Sequence, residues 1–144
     1  KTRHNIAIGD IMAENIKIQC GSALTELEEP PSNYAVHGRD LMSGIPKEII
    51  VTYKEIAGAL NNSIEMIEEA VMSALFNTPP ALSADIYKEG LYLTGGGSML
   101  RGLDKRIEKK TKLRVYVEED PLRAVGKGTS TALKHTDSYT FLMR

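Results

Sequence analysis

Apolar residues recur every three or four positions in some stretches of this chain and cluster or alternate in others, and that change of period divides it into elements. Met12, Ile16 and Cys20 fall at i, i+4 and i+8 and predict a helix over residues 11–20, with Asp10 as N-cap and Gly21 as a stop. Residues 26–33, with Glu28-Glu29-Pro30-Pro31-Ser32, form a loop. Residues 34–37 read as a short strand, residues 38–46 as a turn or bulged connection, and the β-branched residues 48–53 as a second, antiparallel strand. Ile56, Leu60, Ile64, Ile67, Val71 and Leu75 then mark a core-facing stripe on a long helix, residues 54–76, ended by Pro79-Pro80.

The second half changes period twice more. Residues 82–89 predict a short helix closed by Gly90, and Leu91-Tyr92-Leu93 a buried strand. A helix over residues 99–109 follows, with Ser98 as N-cap and Met99, Leu103 and Ile107 on one face. Residues 113–117 alternate as a strand, and Asp120-Pro121 starts a last helix running to about residue 134. Gly126 and Gly128 weaken that helix unless something packs closely against them. The front half therefore reads α-β-β-α, and the tail β-turn-α-β-α, a parallel unit with crossover helices. Two parallel strands make no stable core alone, and parallel sheets bury both faces, so further strands are expected from chain outside this sequence or from a partner.

Composition narrows the class. The chain has 144 residues, 42% hydrophobic and 26% charged, which suits one soluble globular domain or two small lobes. A net charge of −1 implies no broad attraction to nucleic acid or anionic lipid. No apolar run approaches the roughly 20 residues that span a bilayer. Lys1-Thr2-Arg3-His4 leads straight into Asn5-Ile6-Ala7-Ile8 without the pattern of a signal peptide. The single cysteine, Cys20, has no internal partner for a disulfide, which fits a reducing cytoplasm.

Candidate chemistry is concentrated in Thr94-Gly95-Gly96-Gly97-Ser98. Three glycines between a strand and a helix strip the turn of Cβ atoms, so a flat ligand can lie against backbone, and the first amides of a following helix carry partial positive charge. The competing reading is a tight turn in which Ser98 only caps a helix. Glu14 and Lys17 lie one turn apart, opposite the apolar stripe, free either to border a cleft or to form an ordinary surface ion pair. Glu118-Glu119-Asp120 is better read as a helix start than as a metal or acid/base cluster. His4, His37 and His135 are scattered, and no arrangement for nucleophilic catalysis can be drawn. Lys105-Arg106 and Lys109-Lys110 form a basic strip whose default is a solvated face.

Taken in order, these motifs resemble the MreB family of bacterial actin homologues. Ile8-Gly9-Asp10, Ala13-Glu14-Asn15-Ile16-Lys17-Ile18 and Gly21-Ser22-Ala23 are similar to the family's adenine-side helix. Val36-His37-Gly38-Arg39-Asp40-Leu41 and Gly44-Ile45-Pro46-Lys47 are similar to the hairpin that follows it. Residues 93–104 resemble the adenosine motif, and Glu119-Asp120-Pro121-Leu122, Ala124-Val125, Gly128-Thr129 and Ala132-Leu133 complete the match. Asn15 departs from the family's usual basic or alanine residue.

The resemblance implies an α/β, actin-like ATPase (ribonuclease H-like) fold, present in part: most of subdomain IIB in residues 1–78 and the C-terminal part of IIA in residues 79–144. It implies ATP as ligand, held by Glu14, Asn15, Ile16, Lys17, Gly95, Gly96, Gly97 and Ser98. Mg²⁺ and the phosphates would be handled by loops absent from this sequence, so that these residues alone are expected to be inactive as an ATPase, with no catalytic residue of their own. It further implies filaments of like subunits in the cytoplasm, at the inner face of the cell membrane. Membrane contact would come through elements outside this chain, and partners would include membrane adaptors and wall-synthesis proteins, with no nucleic acid. Two alternatives stay open: another enzyme of the actin superfamily, such as a sugar kinase or chaperone ATPase, or a non-enzymatic interaction module.

Overall fold

The computed structural model describes residues 4–135, so Lys1–Arg3 of the leader-peptide reading and residues 136–144 lie outside it. The front half is a three-stranded antiparallel sheet in the order β1 (Ile6–Ala7), β2 (Tyr34–Asp40), β3 (Pro46–Val51). Helices α1 (Asp10–Cys20) and α2 (Tyr53–Phe76) accompany it. The back half is α3 (Pro80–Glu89), β4 (Leu91–Leu93), one 3-10 turn (Gly96–Met99), α4 (Leu103–Thr111), β5 (Val115–Val117) and α5 (Ala124–Lys134). β4 and β5 pair in parallel, as the tail pattern requires.

Several boundaries move, each for a local reason. Strand β1 had no sequence signal, because two residues are too few to show a period. Gly38, Arg39 and Asp40, expected in a turn, continue the β2 ladder opposite Lys47 and Pro46, and the turn proper is residues 41–45. Gly38 admits β1 at close range: a Cβ there would meet Ile6 Cγ1 at 2.8 Å and the carbonyl oxygen of Ala7. Pro46 opens an edge strand, where its missing N–H is tolerated. Thr52 and Tyr53 leave the second strand. The backbone N–H of Thr52 donates to Glu55 Oε2 (2.9 Å) and the Thr52 hydroxyl accepts from the Glu55 N–H (3.4 Å), a capping box that starts α2.

Helix α1 matches its predicted span, but its cap is Gly9, not Asp10, and no side chain caps it. In α2 the stripe drifts. Ile67 is 44% exposed, whereas Glu68, four residues after Ile64, is 8% exposed and faces inward. Helix α3 starts two residues early because Pro80 suits the first turn, and Gly90 closes it at φ +84°. Helix α4 starts at Leu103, not Met99: Gly102 at φ +76° breaks the path, and Met99 stays exposed. Ser98 therefore caps no α-helix. Lys112, left-handed at φ +60°, delays β5 to Val115. Residues 121–123 form a turn, so α5 starts at Ala124 and not at Asp120-Pro121. A Cβ on Gly126 or Gly128 would meet nothing, so no packing among the described residues explains those glycines.

Two apolar clusters hold the chain. Ile16, Val36 and Val51 join α1 to the front sheet, with Ile56 of α2 against them. Ala23, Ile64, Leu103 and Ile107 join the loop after α1 to α2 and α4, with Leu91, Leu93 and Val115 against them. Helix α2 thus runs through both. The other face of β4–β5 is open, contrary to the buried strand expected: Tyr92 is 64% exposed and stacks on Tyr116, with centroids 5.1 Å apart. A parallel pair covered on one side only is the deficit anticipated from the pattern. No helix among the described residues is long and apolar enough to cross a membrane.

The β2–β3 turn carries its own pH signature. Backbone N–H groups of Ser43 and Met42 donate to Asp40 Oδ1, and Lys47 to Oδ2, which lowers the Asp40 carboxyl from 3.8 to about 2. A depressed carboxyl contributes order that is complete above its unfolded value and is lost as pH falls through the folded one. The turn should therefore loosen between about pH 4 and about pH 2. The carboxyl carbon of Asp40, followed by NMR, should titrate in that window, and Asp40→Asn should abolish the change in the Met42 and Ser43 amides. A titration at the ordinary value would refute the assignment.

Candidate functional site

The glycine turn lies at the carboxyl ends of the parallel strands, the side on which open α/β sheets bind ligands. The N–H of Gly95 donates to the carbonyl of Pro121 (2.8 Å) and that of Glu118 to Leu93 (3.1 Å), so the loops after β4 and β5 form one rim. Ser98 is buried, and its hydroxyl donates to the carbonyl of Gly95 (2.7 Å), closing the turn on itself. Among the described residues the amides of Gly96 and Gly97 find no acceptor.

The three glycines differ in what demands them. Gly95 sits at φ +79°, which a side chain disfavours. Gly96 and Gly97 have no such φ; a Cβ on Gly97 would meet nothing, and one on Gly96 only Leu122 Cδ2 at 3.4 Å. Packing within the described residues therefore does not require glycine at 96 or 97, and their bare backbone faces open space. The partial charge ascribed to the start of a long helix reduces here to the free amides of one 3-10 turn.

Helix α1 supplies the second part. Glu14 and Lys17 are half exposed and paired at 2.7 Å, and Asn15 is exposed beside them. Ile16 points the other way, into the front core, so its side chain serves packing. The pair is joined to the glycine turn through the end of α1. Ser22 bridges Arg101 in parallel fashion, and the Ala23 N–H donates to the Arg101 carbonyl at 2.8 Å. Lys17 and Glu14 stand about 6 and about 10 Å along the helix axis from Gly21. Arg101 and Leu122 were not singled out from the sequence. Both fall inside motifs that carry the family resemblance, residues 93–104 and 119–122, without a role of their own being legible there.

Other candidates are accounted for otherwise. Burial raises the Cys20 thiol, consistent with a packed small hydrophobe. Lys105 reaches Glu28 (3.7 Å), while Arg106 turns inward to Glu68. A cavity of about 290 Å³ lies under the front sheet, away from the glycine turn, lined chiefly by aliphatic residues such as Ile6, Val36 and Ile56. Among the described residues no group of three or more His, Cys, Asp or Glu is placed to hold a metal.

The fold and the turn define a class: an α/β chain matching part of the actin-like fold. The crystal structure of MreB5 of Spiroplasma citri bound to ADP superposes with a TM-score of 0.88 at 34% identity, over 96% of this chain and 42% of that one. The same protein bound to AMPPNP gives 0.87 at 33% identity, over 99% and 42%. At fold level alone, the MamK double helical filament gives 0.63 at 20% identity, over 84% and 36%.

The model of the MreB/Mbl protein family matches residues 1–140, and the chain belongs to that family. It is 37% identical to the cell shape-determining protein Mbl of Bacillus subtilis, over 95% of this chain and 40% of that protein. It is 40% identical to the cell shape-determining protein MreB of Escherichia coli K12, over 92% and 38%. The chain thus spans about two fifths of the length of the curated relatives it matches.

Proposed function

We propose that this chain is the nucleoside-binding portion of a cytoskeletal, actin-like ATP-binding protein. On this reading residues 1–78 form most of subdomain IIB and residues 79–144 the C-terminal part of IIA. Gly95, Gly96, Gly97 and Ser98 lie under the adenosine, with Glu14, Asn15 and Lys17 at its side and Ile16 holding α1 in place. Glu14 accepts from ribose hydroxyls or base, and the methylene stem of Lys17 lies along the adenine. The observation that carries the proposal is the bare backbone of Gly96 and Gly97, which internal packing does not demand, at the carboxyl edge of a parallel pair.

The residues of this chain include neither of the family's phosphate loops, so alone they should bind ATP weakly and turn none over. In the protein at its full natural length, γ-phosphate would bias lobe closure and thereby subunit contacts, which are heterologous along a filament and do not close. Such filaments would lie beneath the cell membrane and direct wall synthesis and rod shape, through membrane adaptors and wall-synthesis proteins.

The test is ATP-dependent sedimentation and ATP binding by the full-length protein, with and without Gly97→Val. The wild type should pellet with ATP, and the variant should bind ATP about tenfold or more weakly, because a β-branched side chain fills the ligand's space. Unchanged affinity in Gly97→Val would remove the nucleoside site, and failure to pellet would favour a non-filament module.

A further inference from the structure

Two arginines after the glycine turn reach back to the end of α1, and they do different work. Arg106 donates through Nη1 to the Ala23 carbonyl (3.1 Å) and through Nε to Glu68 (2.5 Å), so it ties the loop to α2 and belongs to the core. Among the described residues Arg101 makes no ion pair with an acidic side chain. Its Nη1 donates to the carbonyls of Ile18 (3.2 Å) and Gly21 (3.3 Å), acceptors left over where α1 ends. Its own carbonyl accepts from the Ala23 N–H (2.8 Å), beside the buried Ser22, whose hydroxyl donates to the Leu24 carbonyl (2.7 Å).

We infer that Arg101 is a positioning residue for the nucleotide site: it locks α1 to the glycine turn and thereby sets the spacing between the Glu14–Lys17 pair and Gly96–Gly97. The inference rests on the nucleoside reading above and adds the device that holds its two halves in register. The link on the turn side is short and hydrogen-bonded. The Leu100 N–H donates to the Gly97 carbonyl (3.2 Å) and the Leu103 N–H to that of Leu100 (3.1 Å). A shift of the glycine turn is therefore passed to residue 101, and from there to the last carbonyls of α1. The positive guanidinium also suits the negative end of that helix. A lysine keeps the charge, but its rotating ammonium on a shorter stem does not fix the two bond directions as the planar Nη1 amino group does.

The experiment is a double-mutant cycle on ATP affinity in the protein at its full natural length, using Arg101→Lys, Glu14→Gln and both together. Each single change should weaken ATP about five- to tenfold, while in the Arg101→Lys background Glu14→Gln should cost less than about twofold more, because the carboxylate is already misplaced. Losses that multiply would show that Arg101 acts on general stability, and an Arg101→Lys protein that binds ATP like the wild type would overturn the inference outright. If Glu14→Gln alone leaves ATP affinity unchanged while Arg101→Lys weakens it, the Glu14 part of the nucleoside reading fails, and the positioning role with it. Should Arg101→Lys not fold, amide exchange in the wild type decides. ATP should slow exchange across residues 18–23 as well as 95–98, and protection confined to 95–98 refutes the coupling.

Discussion

Replacing Arg106 by alanine should destabilise the protein by about 3 kcal/mol, toward the lower end of what breaking a buried pair costs. Its side chain is 18% exposed and that of Glu68 only 9%, with Nε to Oε1 at 2.5 Å. No other cation among the described residues pairs with Glu68, so the variant leaves a buried carboxylate without its counter-charge. It also strips the Ala23 carbonyl of its guanidinium donor. The value is read as the shift of the denaturant midpoint at constant slope. The double variant Arg106→Met/Glu68→Leu should recover most of the loss, since well-packed apolar residues replace buried ion pairs at little cost. A double variant as unstable as the single one would show that the side chains' packing, not the orphaned charge, carries the effect.

Ile64→Ala should cost about 3–4 kcal/mol, through lost burial and the cavity left behind. Ile64 is 2% exposed and sits where α2, α4 and the loop after α1 converge, against Ala23, Leu103 and Ile107. Those three elements cannot close together without unmaking the contacts that seat the glycine turn, so the site should contract little. Ile67→Ala is the contrast: at 44% exposure it should cost well under half as much. Equal losses at the two positions would mean that residues beyond this chain cover the other flank of α2.

That contrast marks where the pattern of residues was readable and where it was not. A stripe at three/four spacing identifies α2 and its general face. Over six turns, however, the period drifts against any fixed spacing, and Ile67 rotates outward while Glu68 rotates in. Nothing local announces that Glu68 is tolerated there, because its partner lies 38 residues away on α4. Gly38 invited a turn by its identity, yet its role is to let β1 approach, a contact with residues 31 or more positions earlier. Ser98 followed three glycines and preceded apolar residues, so a helix start at Met99 was a fair local reading. The left-handed Gly102 moved that start to Leu103 and made Ser98 the clasp of the turn instead.

The candidate site divides in the same way. Gly95–Gly96–Gly97, Glu14 and Lys17 were legible because their chemistry is local: absent Cβ atoms, and two charges one turn apart opposite an apolar stripe. Arg101 falls within the 93–104 motif, but its contact with α1 was not legible. An arginine three residues beyond a turn is ordinary until the chain folds and brings the carbonyls of Ile18 and Gly21, at the end of α1, within 3.3 Å of it.

By itself the sequence determined the order of elements after β1, the parallel tail, the shortage of strands and the glycine turn, since each depends on residues within a few positions of one another. Tertiary structure alone decided which polar groups go inside and how α1 is bound to the turn. Those outcomes hinge on contacts made across 38 to 83 residues, and no short window of sequence contains both partners.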